Sequence, residues 1–254
     1  MWDGGFFAVG RSEGAVPPHQ HHAIQIVIGV DREIGIKGAQ GDWQSSRGVI
    51  VRSDTGHSFD GQGALGAMVF VDPESVEGLW LRSSLSRDIT IVPEARLEKS
   101  IGDLCTFVER PLESMEVGAL IRQCVQSLCS GAPPARKLDP RVTLVLKTIR
   151  ASEDLRISVE DAAATVFLSP SRFAHLFKDQ VGLPFRRYML WRKLTRAVLS
   201  VGREGTIAAA AHAADFADAA HLTRTFYQMF GLSPSAMMRG EFFEIPPPFE
   251  QLDG

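Results

Sequence analysis

The pattern of apolar and polar positions divides the chain into a strand-rich part and a helical part. Up to about residue 98, short apolar runs such as 24–28, 48–51 and 67–71 alternate with turns rich in Gly and Asp. Apolar runs of this length, bounded by turn residues, are typical of buried strands. Their number and spacing predict a small antiparallel β-sandwich or barrel.

From about residue 100 the apolar positions follow a helical period. The segment 117–128 places its large apolar residues on one stripe of a helix, formed by Val117, Leu120, Ile121, Cys124, Val125 and Leu128. Such a stripe packs on the strand-rich core or pairs with a second copy of the chain, and the sequence leaves both alternatives open. The paired prolines of segment 131–137 predict an extended linker after this helix.

The last hundred or so residues contain one pattern twice, at an offset of 49 positions. A capping residue, a phenylalanine and a glycine recur in both copies, as the pairs Ser169 and Asp218, Phe177 and Phe226, and Gly182 and Gly231. Each copy predicts a supporting helix, a tight turn and a second helix with one exposed face, which is the arrangement of a helix-turn-helix. Two copies are too few for a solenoid, so the repeat predicts a pair of DNA-binding units.

A long helix predicted over 185–201 joins the two copies. Its length is about 25 Å at a rise of 1.5 Å per residue, which is of the order of one turn of DNA, about 34 Å. The two recognition helices, meaning the second helix of each copy, would then enter successive major grooves. The basic residues of the joining helix are either phosphate contacts or a solvated face, namely Arg186, Arg187, Arg192, Lys193 and Arg196.

Each recognition helix presents a short polar face near its start, once its core-facing positions are assigned. That face is predicted to contain Ser171, Arg172, Ala174 and His175 in the first copy, and Ala219, Ala220, Thr223 and Arg224 in the second. A helix with short side chains in its first turns can enter a major groove N-terminus first. Arg224 is the best candidate for a specific contact, because arginine pairs bidentately with guanine.

The net charge of −3 conceals a strong asymmetry. Residues 1–134 carry 11 Lys/Arg and 17 Asp/Glu, a net −6, whereas residues 135–240 carry 16 and 9, a net +7. The Pro-rich end, 241–254, carries four acidic residues and no basic ones. A basic module attached to an acidic one is consistent with one half that binds phosphates and another that does not bind DNA.

Four segments of the helical half resemble a known family. Segments 168–177, 182–188, 216–226 and 231–234 resemble the DNA-binding domain of the AraC/XylS family of bacterial transcription regulators. The resemblance implies double-stranded DNA as the partner, with base-edge or nearby contacts from the outward-facing residues of both recognition helices. It also implies that no catalytic chemistry is needed. RNA polymerase and a second copy of the chain are the further partners to be considered.

Two positions of the second copy depart from the family pattern. Asp215 stands where the family has a turn glycine, so a left-handed backbone there would be strained, although Asp tolerates it better than most residues. Ala210 replaces a larger apolar residue and thins the core of the supporting helix. We therefore expect the second copy to be less stable, or to bind DNA more loosely, than the first.

Four of the seven histidines fall in the first 60 residues, at positions 19, 21, 22 and 57. The segment 14–25 resembles the first cupin motif, with Gln25 in the place of its glutamate, and 48–57 loosely resembles the second. Alternation along a strand predicts that His19 and His21 share one face and that His22 lies on the other.

These residues support two hypotheses about the strand-rich half. In one, a pocket for a small-molecule effector is lined by His19, His21, Gln25, Trp43 and His57. In the other, His19, His21, Gln25 and His57 bind a divalent metal such as Zn²⁺, Fe²⁺ or Mn²⁺. The family resemblance favours the effector pocket, because this domain usually binds an organic effector there and remnants of cupin motifs often hold no metal. No cofactor is therefore expected.

Cys105, Cys124 and Cys129 form no CxxC pair. They are expected to be buried reduced thiols, with a redox pair of Cys124 and Cys129 as the alternative. No apolar run approaches the length of a membrane span, and the N-terminus lacks the basic start of a signal peptide. We therefore expect a cytoplasmic protein that does not bind membranes.

The sequence thus predicts a two-domain chain, β followed by all-α. A cupin-like β-barrel that senses an effector is expected over 1–99, and a helical, Pro-containing linker with a candidate dimerisation helix over 100–137. A double helix-turn-helix domain is expected over 138–240, before an acidic Pro-rich tail over 241–254. The predicted function is sequence-specific transcription regulation, as activator or repressor, modulated by a small molecule.

Two alternatives remain at this point. One is a cupin-type metalloenzyme with a helical appendage, for which the doubled helix-turn-helix would have no use. The other is a regulator whose barrel serves only for dimerisation.

Overall fold

The structure, a computed structural model, describes residues 4–12, 14–109, 114–134, 138–204 and 206–238. The chain forms two compact units, Met1–Pro133 together with Phe226–Gly254, and Pro134–Thr225. The predicted tail over 241–254 and the linker residues 135–137 lie outside the described residues.

The described part of the first unit contains two antiparallel sheets. Its strands are β1 Gly5–Ser12, β2 Ala15–His19, β3 Ile24–Gly29, β4 Ile34–Gly38, β5 Gln44–Ser46, β6 Gly48–Val51, β7 His57–Asp60, β8 Ala64–Val71 and β9 Ile89–Ile91. The strand order is β1-β8-β3-β6-β9 in one sheet and β2-β7-β4-β5 in the other. The predicted apolar runs lie in β3, β6 and β8, as expected. The ladders among these strands give two separate sheets, so the sandwich alternative describes them and a closed barrel does not.

Strand β3 lies inside the larger sheet and is apolar except for Gln25. All six of its residues are buried, and it pairs with β8 on one side and β6 on the other. A strand that pairs on both edges and is covered on both faces reads as a continuous apolar run rather than an alternating one. This is the pattern of 24–28.

Three α-helices lie among the described residues of the N-terminal segment of the first unit, namely α1 Val76–Ser84, α2 Glu98–Glu109 and α3 Ser114–Leu128. Helix α3 is the amphipathic helix predicted from the stripe over 117–128. Its residues Ile121, Cys124, Val125 and Leu128 belong to the same buried cluster as Ile26 of β3. The stripe therefore packs on the sheet, and this face of α3 is not available for pairing with a second copy.

Seven helices follow along the chain, α4 Pro140–Ala151, α5 Val159–Thr165, α6 Pro170–Val181, α7 Phe185–Glu204, α8 Ile207–Ala213, α9 Ala219–Phe230 and α10 Pro234–Met238. Most begin directly after the capping residue that the sequence predicts. The side chains of Asp139, Ser158, Ser169 and Thr206 each accept a hydrogen bond from a backbone N–H of the first turn, and Asp218 accepts one from His221 N at 2.6 Å. These bonds satisfy backbone donors that the helix itself leaves without a partner.

The second unit is built around aromatic side chains of α6 and α7. Phe177 packs edge-on against Phe185 and Tyr188, with ring centroids 5.2 and 5.3 Å away. Trp191 of α7 is also fully buried. Helix α7 has 20 residues, about 30 Å at 1.5 Å per residue, and is longer than the segment predicted for it. Within the described residues, no helix combines the length and apolar character required to cross a membrane.

Candidate DNA-recognition surface and histidine cluster

The first helix-turn-helix consists of α5, a four-residue turn over 166–169 and α6. Ser158 and Asp161 cap α5 reciprocally, side chain to backbone in both directions, which is the capping box expected from their spacing. In the turn, Leu168 N donates to Ala163 O at 3.0 Å and Phe167 adopts a left-handed conformation with φ 55°. The Phe167 residue is 97% exposed.

The residues predicted to contact DNA from α6 lie on one outward face. Ser171, Arg172 and His175 are exposed and Ala174 is half-buried. The Nδ1 atom of His175 lies 2.9 Å from Ser171 O on the same helix. This contact holds the imidazole along the helix and leaves its other nitrogen for a phosphate, a base or water. The four positions therefore form a continuous polar face at the start of α6.

The second helix-turn-helix consists of α8, a five-residue turn over 214–218 and α9. Ala220 and Arg224 are exposed, and Ala219 and Thr223 are half-buried. The Thr223 hydroxyl donates to Ala219 O at 2.8 Å, so its oxygen is left as an acceptor. Arg224 is the longest donor-bearing side chain among the predicted contacts of α9.

The two copies differ by one residue in the turn. The caps of the supporting helices, Ser158 and Thr206, are 48 positions apart, whereas the caps of the recognition helices, Ser169 and Asp218, are 49 apart. The offset of 49 therefore holds only from the recognition helix onward, and the second turn has one residue more than the first.

Asp215 in the second turn has the left-handed conformation expected for it, with φ 58°. Its carboxylate Oδ2 accepts a hydrogen bond from Leu155 N at 2.9 Å. The same carboxylate lies 3.5 Å from Arg156 Nε and 3.8 Å from Arg196 Nη1, and Lys193 Nζ donates to Asp215 O at 2.8 Å. A glycine could make only the last of these contacts. The expectation that this residue weakens the second copy therefore omitted the interactions that its side chain supplies.

Two basic residues of α7 act inside the second unit. Arg196 donates to the carbonyl oxygens of Ser152, at 2.6 Å, and Glu153, and burial lowers the pKa of its guanidinium. Lys193 is engaged with Asp215 as described. Of the five basic residues considered for phosphate contacts, Arg186 and Arg187 are the exposed ones.

Three histidines of the first unit converge on one point. His19 ends β2, His57 begins β7, and these two residues face each other in the β2–β7 ladder. His21 lies in the connection between β2 and β3, and Gln25 lies in β3. All four side chains are buried, and one ring nitrogen from each of His19, His21 and His57 lies within 4.8 Å of the others. We call these three residues the histidine cluster.

The expected alternation of His19 and His21 along one strand was wrong. The chain leaves β2 after His19 and enters β3 only at Ile24, so His21 reaches the cluster from a connection rather than from a strand. The predicted set itself is brought together, except for one member. Trp43 is 47% exposed, and it packs beside Gly35, three residues along β4 from the position that pairs with His57.

Each ring of the histidine cluster is anchored by one nitrogen to the backbone. Nδ1 of His19 lies 2.8 Å from Pro17 O, Nδ1 of His21 lies 3.0 Å from Ala23 O, and Nδ1 of His57 lies 2.9 Å from Thr55 O. The Nε2 atoms of His21 and His57 lie 3.1 and 2.8 Å from Gln25 Oε1.

The cluster favours neutral imidazoles. Burial lowers the pKa of His19. Burial, reinforced by the neighbouring rings, lowers the pKa of His21 to about 3 and that of His57 to about 2. Desolvation disfavours the charged form of a base, and each protonated ring would repel the next.

The pKa of His22 is shifted in the opposite direction, and the prediction that this residue faces outward was wrong. Its ring is 3% exposed, with Nε2 lying 3.3 Å from Glu74 Oε2 and Nδ1 3.5 Å from Asp54 Oδ2. Burial alone would lower the pKa of His22, but the two carboxylates raise it to about 9. Nothing in the sequence pattern pairs His22 with Glu74, because they meet only through the fold.

The cysteines are free thiols, of which Cys124 is buried as expected and Cys105 and Cys129 are only half-buried. Burial raises the pKa of Cys124, and burial raises that of Cys129 to about 12. Because the thiolate is the reactive form, these environments disfavour the alternative of a redox pair.

Comparison with known proteins bears on the helical half and on the whole fold. The helix-turn-helix domain model matches residues 162–240. The probable transcriptional regulator LumQ of Photobacterium leiognathi is 25% identical over 237 residues, which cover 89% of this chain and 92% of LumQ. The HTH-type transcriptional regulator YidL of Escherichia coli K12, itself uncharacterized, is 27% identical over 143 residues, which cover 55% of this chain and 48% of YidL.

Among solved structures, ToxT of Vibrio cholerae O395 has a similar fold. The TM-score is 0.59 at 10% identity, and the superposition covers 92% of this chain and 96% of ToxT. ToxT bound to an unsaturated fatty acid, from strain SCE256, aligns with a TM-score of 0.57 at 10% identity over 95% of this chain and 98% of that one. The matching domain model shows that residues 162–240 contain a helix-turn-helix domain, and over most of its length the chain is similar to a probable transcriptional regulator.

Proposed function

We propose that this protein regulates transcription by placing α6 and α9 in successive major grooves of a two-part DNA site, under the control of a small ligand bound in the first unit. The observation that carries the proposal is the repetition of one exposed face on two capped recognition helices. A single helix-turn-helix would contact one half-site, whereas two copies joined by a continuous α7 can contact two.

The contacts are assigned by side-chain reach. Small residues at the start of each recognition helix, such as Ser171 and Ala220, allow the backbone to approach the base edges. Arg172 and Arg224 are exposed and supply the donors, and Arg224 is expected to pair with a guanine. The exposed Arg186 and Arg187 of α7 are expected to contact phosphates, which strengthens binding without selecting sequence.

The ligand is assigned to the first unit because its histidine cluster is a buried group of polar residues that the double helix-turn-helix does not use. A structure of ToxT, which has a similar fold, contains an unsaturated fatty acid. A ligand that prefers one of two arrangements of a regulator shifts the population between them. Control of DNA binding then requires no chemical step, so we propose that the protein is not an enzyme.

Further partners follow from this role. Contact with RNA polymerase would make the protein an activator, and occlusion of a promoter would make it a repressor. A homodimer would need a surface other than the apolar stripe of α3, which is buried in the first unit. Action on chromosomal DNA of a bacterial regulator would take place in the cytoplasm.

The experiment that tests the proposal is selection of bound sequences from randomised duplex DNA by the full chain. We expect a motif of two parts about one helical turn apart, and an affinity that falls steeply as salt concentration rises. Recovery of no motif, together with salt-insensitive binding, would overturn the proposal.

Arg224→Ala sharpens the same experiment. Loss of a bidentate arginine–guanine pair costs about 1–3 kcal/mol of discrimination, so the variant should relax one half of the motif and leave the other half unchanged. Arg87→Ala is the matched control, since Arg87 is an exposed arginine of the first unit. It should leave both halves unchanged, and relaxation of both halves by Arg224→Ala would contradict the assignment.

A further inference from the structure

In the histidine cluster, more ring nitrogens lie within hydrogen-bond distance of an oxygen than there are N–H groups to donate. Both nitrogens of His21 face an oxygen, Ala23 O on one side and Gln25 Oε1 on the other. Both nitrogens of His57 likewise face Thr55 O and Gln25 Oε1. A neutral imidazole has a single N–H, and both side chains are buried. One nitrogen of each ring therefore presents a lone pair towards an oxygen.

The backbone contacts indicate which nitrogen that is. A carbonyl oxygen can only accept, and the Nδ1 atoms of His19, His21 and His57 all lie 2.8–3.0 Å from carbonyl oxygens two residues away. With the hydrogen on Nδ1, the lone pair is on Nε2. Histidines that bind metals are held in this way, since the non-ligating nitrogen donates to a carbonyl or carboxylate and fixes the orientation of the ring.

The spacing suits a small ion. Tetrahedral Zn²⁺ binds nitrogen at about 2.0–2.1 Å, which places its ligands about 3.3 Å apart. The ring nitrogens of the cluster lie within 4.8 Å of one another, and the ring centroids are 4.2, 5.3 and 5.9 Å apart. To reach that separation the nitrogens would have to approach one another by up to about 1.5 Å, with Gln25 Oε1 available as a fourth ligand.

Aromatic side chains form part of the surroundings. The His21 ring packs edge-on against Phe70 at 5.2 Å, and Phe230, which belongs to the same unit, lies 6.2 Å from it. Three imidazoles and one amide oxygen include neither a carboxylate nor a thiolate. Such a donor set favours borderline divalent ions such as Zn²⁺ over Mg²⁺ or Ca²⁺, which prefer oxygen, and over Cu⁺, which prefers sulfur.

We infer that His19, His21 and His57, with Gln25, bind one divalent transition-metal ion of the Zn²⁺ class, and that this ion is the ligand through which the first unit controls DNA binding. The second half of the inference depends on the proposed function, whereas the first half does not. It departs from the expectation of an organic effector because ring nitrogens of all three histidines lie within 4.8 Å of one another.

Metal binding is measured on the full chain after removal of metal with a chelator. Co²⁺ is added as a visible-absorption probe of a tetrahedral site, and Zn²⁺ is titrated in competition with a chromophoric chelator. We expect one ion per chain. His19→Ala and His57→Ala should each weaken binding by more than about tenfold, since even loss of a residue behind a ligand costs about 10–100-fold. His212→Ala, which removes an exposed histidine of α8, is the matched control and should bind as the parent does.

Loss of folding in a variant is separated from loss of a ligand by circular dichroism. Zn²⁺ should raise the melting temperature of the parent chain, because it binds the folded state, and should not raise that of a folded His57→Ala variant. His19→Gln is the second variant, since it keeps a polar side chain of similar size at the least buried position of the cluster.

Regulation is measured as affinity for the selected DNA motif with and without Zn²⁺. A change of about 5–150-fold is expected, which is the usual range of coupling between two sites. If the ion binds but the affinity for DNA does not change, the inference that the ion controls DNA binding is overturned, and the ion has a structural role. No stoichiometric binding would overturn both halves and indicate a metal-free network in which the Gln25 amide donates its NH₂ to both rings. Failure to select a DNA motif, with ion binding intact, would count against the proposed function alone.

Discussion

The turns of the two helix-turn-helix copies place a non-glycine residue in the same left-handed conformation, but they use it in different ways. Phe167 has φ 55° and is 97% exposed. Asp215 has φ 58°, and its side chain is 18% exposed. The backbone conformation therefore belongs to the turn, whereas the fate of the side chain depends on what surrounds it.

Both turns have a strained backbone, but side-chain contacts offset the cost of that strain in only one of them. A left-handed residue with a Cβ costs about 1–2 kcal/mol, and Asp lowers this cost through local polar contacts. The Asp215 carboxylate also accepts a hydrogen bond from Leu155 N, sixty positions earlier in the chain. That contact joins the second turn to the segment that leads into α5. Phe167 carries the same backbone conformation on a bulky side chain that is almost fully exposed.

The largest effect is expected from Asp215→Ala. The substitution leaves the backbone strain in place and removes the acceptor of the buried Leu155 N–H, which costs about 1–3 kcal/mol. The melting temperature of the full chain should fall, and hydrogen exchange at the Leu155 amide should accelerate. Asp215→Asn is the matched variant, since it keeps an acceptor oxygen and loses only the charge, and it should be affected less. Equal losses in both variants would show that the charge, rather than the hydrogen bond, holds the turn.

Substitution by glycine should stabilise the protein at the first turn and destabilise it at the second. Phe167→Gly removes the left-handed strain and no described hydrogen bond of the side chain, so it should stabilise the protein by about 1 kcal/mol. Asp215→Gly removes similar strain together with the contacts to Leu155 and the two arginines, so it should destabilise it. Thermal unfolding of the two variants side by side measures the difference. A shift of the same sign in both would contradict the distinction between the turns.

The smallest effect is expected at the caps of the supporting helices. Ser158→Ala and Thr206→Ala should each cost about 1 kcal/mol. The loss should be greater by a few tenths at Ser158, because its capping box with Asp161 satisfies two backbone donors. Urea unfolding midpoints measure the pair. A greater loss at Thr206 would show that the second supporting helix depends more on its cap than the first does.

The helices were predictable because their signals are local. Ser169 caps α6 through a donor three residues away, and Asp218 caps α9 over the same distance. Interactions of this range depend on the neighbouring sequence and little else. The extra residue in the second turn is also visible in the sequence, because the offset between the copies is 48 at the supporting helices and 49 at the recognition helices. An alignment based on the recognition helices alone does not detect it.

The histidines show where a local sequence pattern fails to predict the position of a side chain. Alternation holds only within a continuous strand, and the chain is not a strand between His19 and Ile24. His22 was therefore assigned to the wrong side, although it is buried beside Glu74. Trp43 was grouped with the cluster by nearness in sequence, but the register of β4 and β7 places it elsewhere.

The sequence alone determined the class of each segment, the doubled helix-turn-helix and the outward faces of both recognition helices. All of these depend on residues within a few positions of one another or on a repeat visible along the chain. Only the tertiary structure decided that α3 packs on the sheet, that His19, His21 and His57 converge beside Gln25, and that Asp215 binds Leu155. Those contacts join residues that are far apart along the chain, and they are set by sheet register and side-chain packing, which no local pattern encodes.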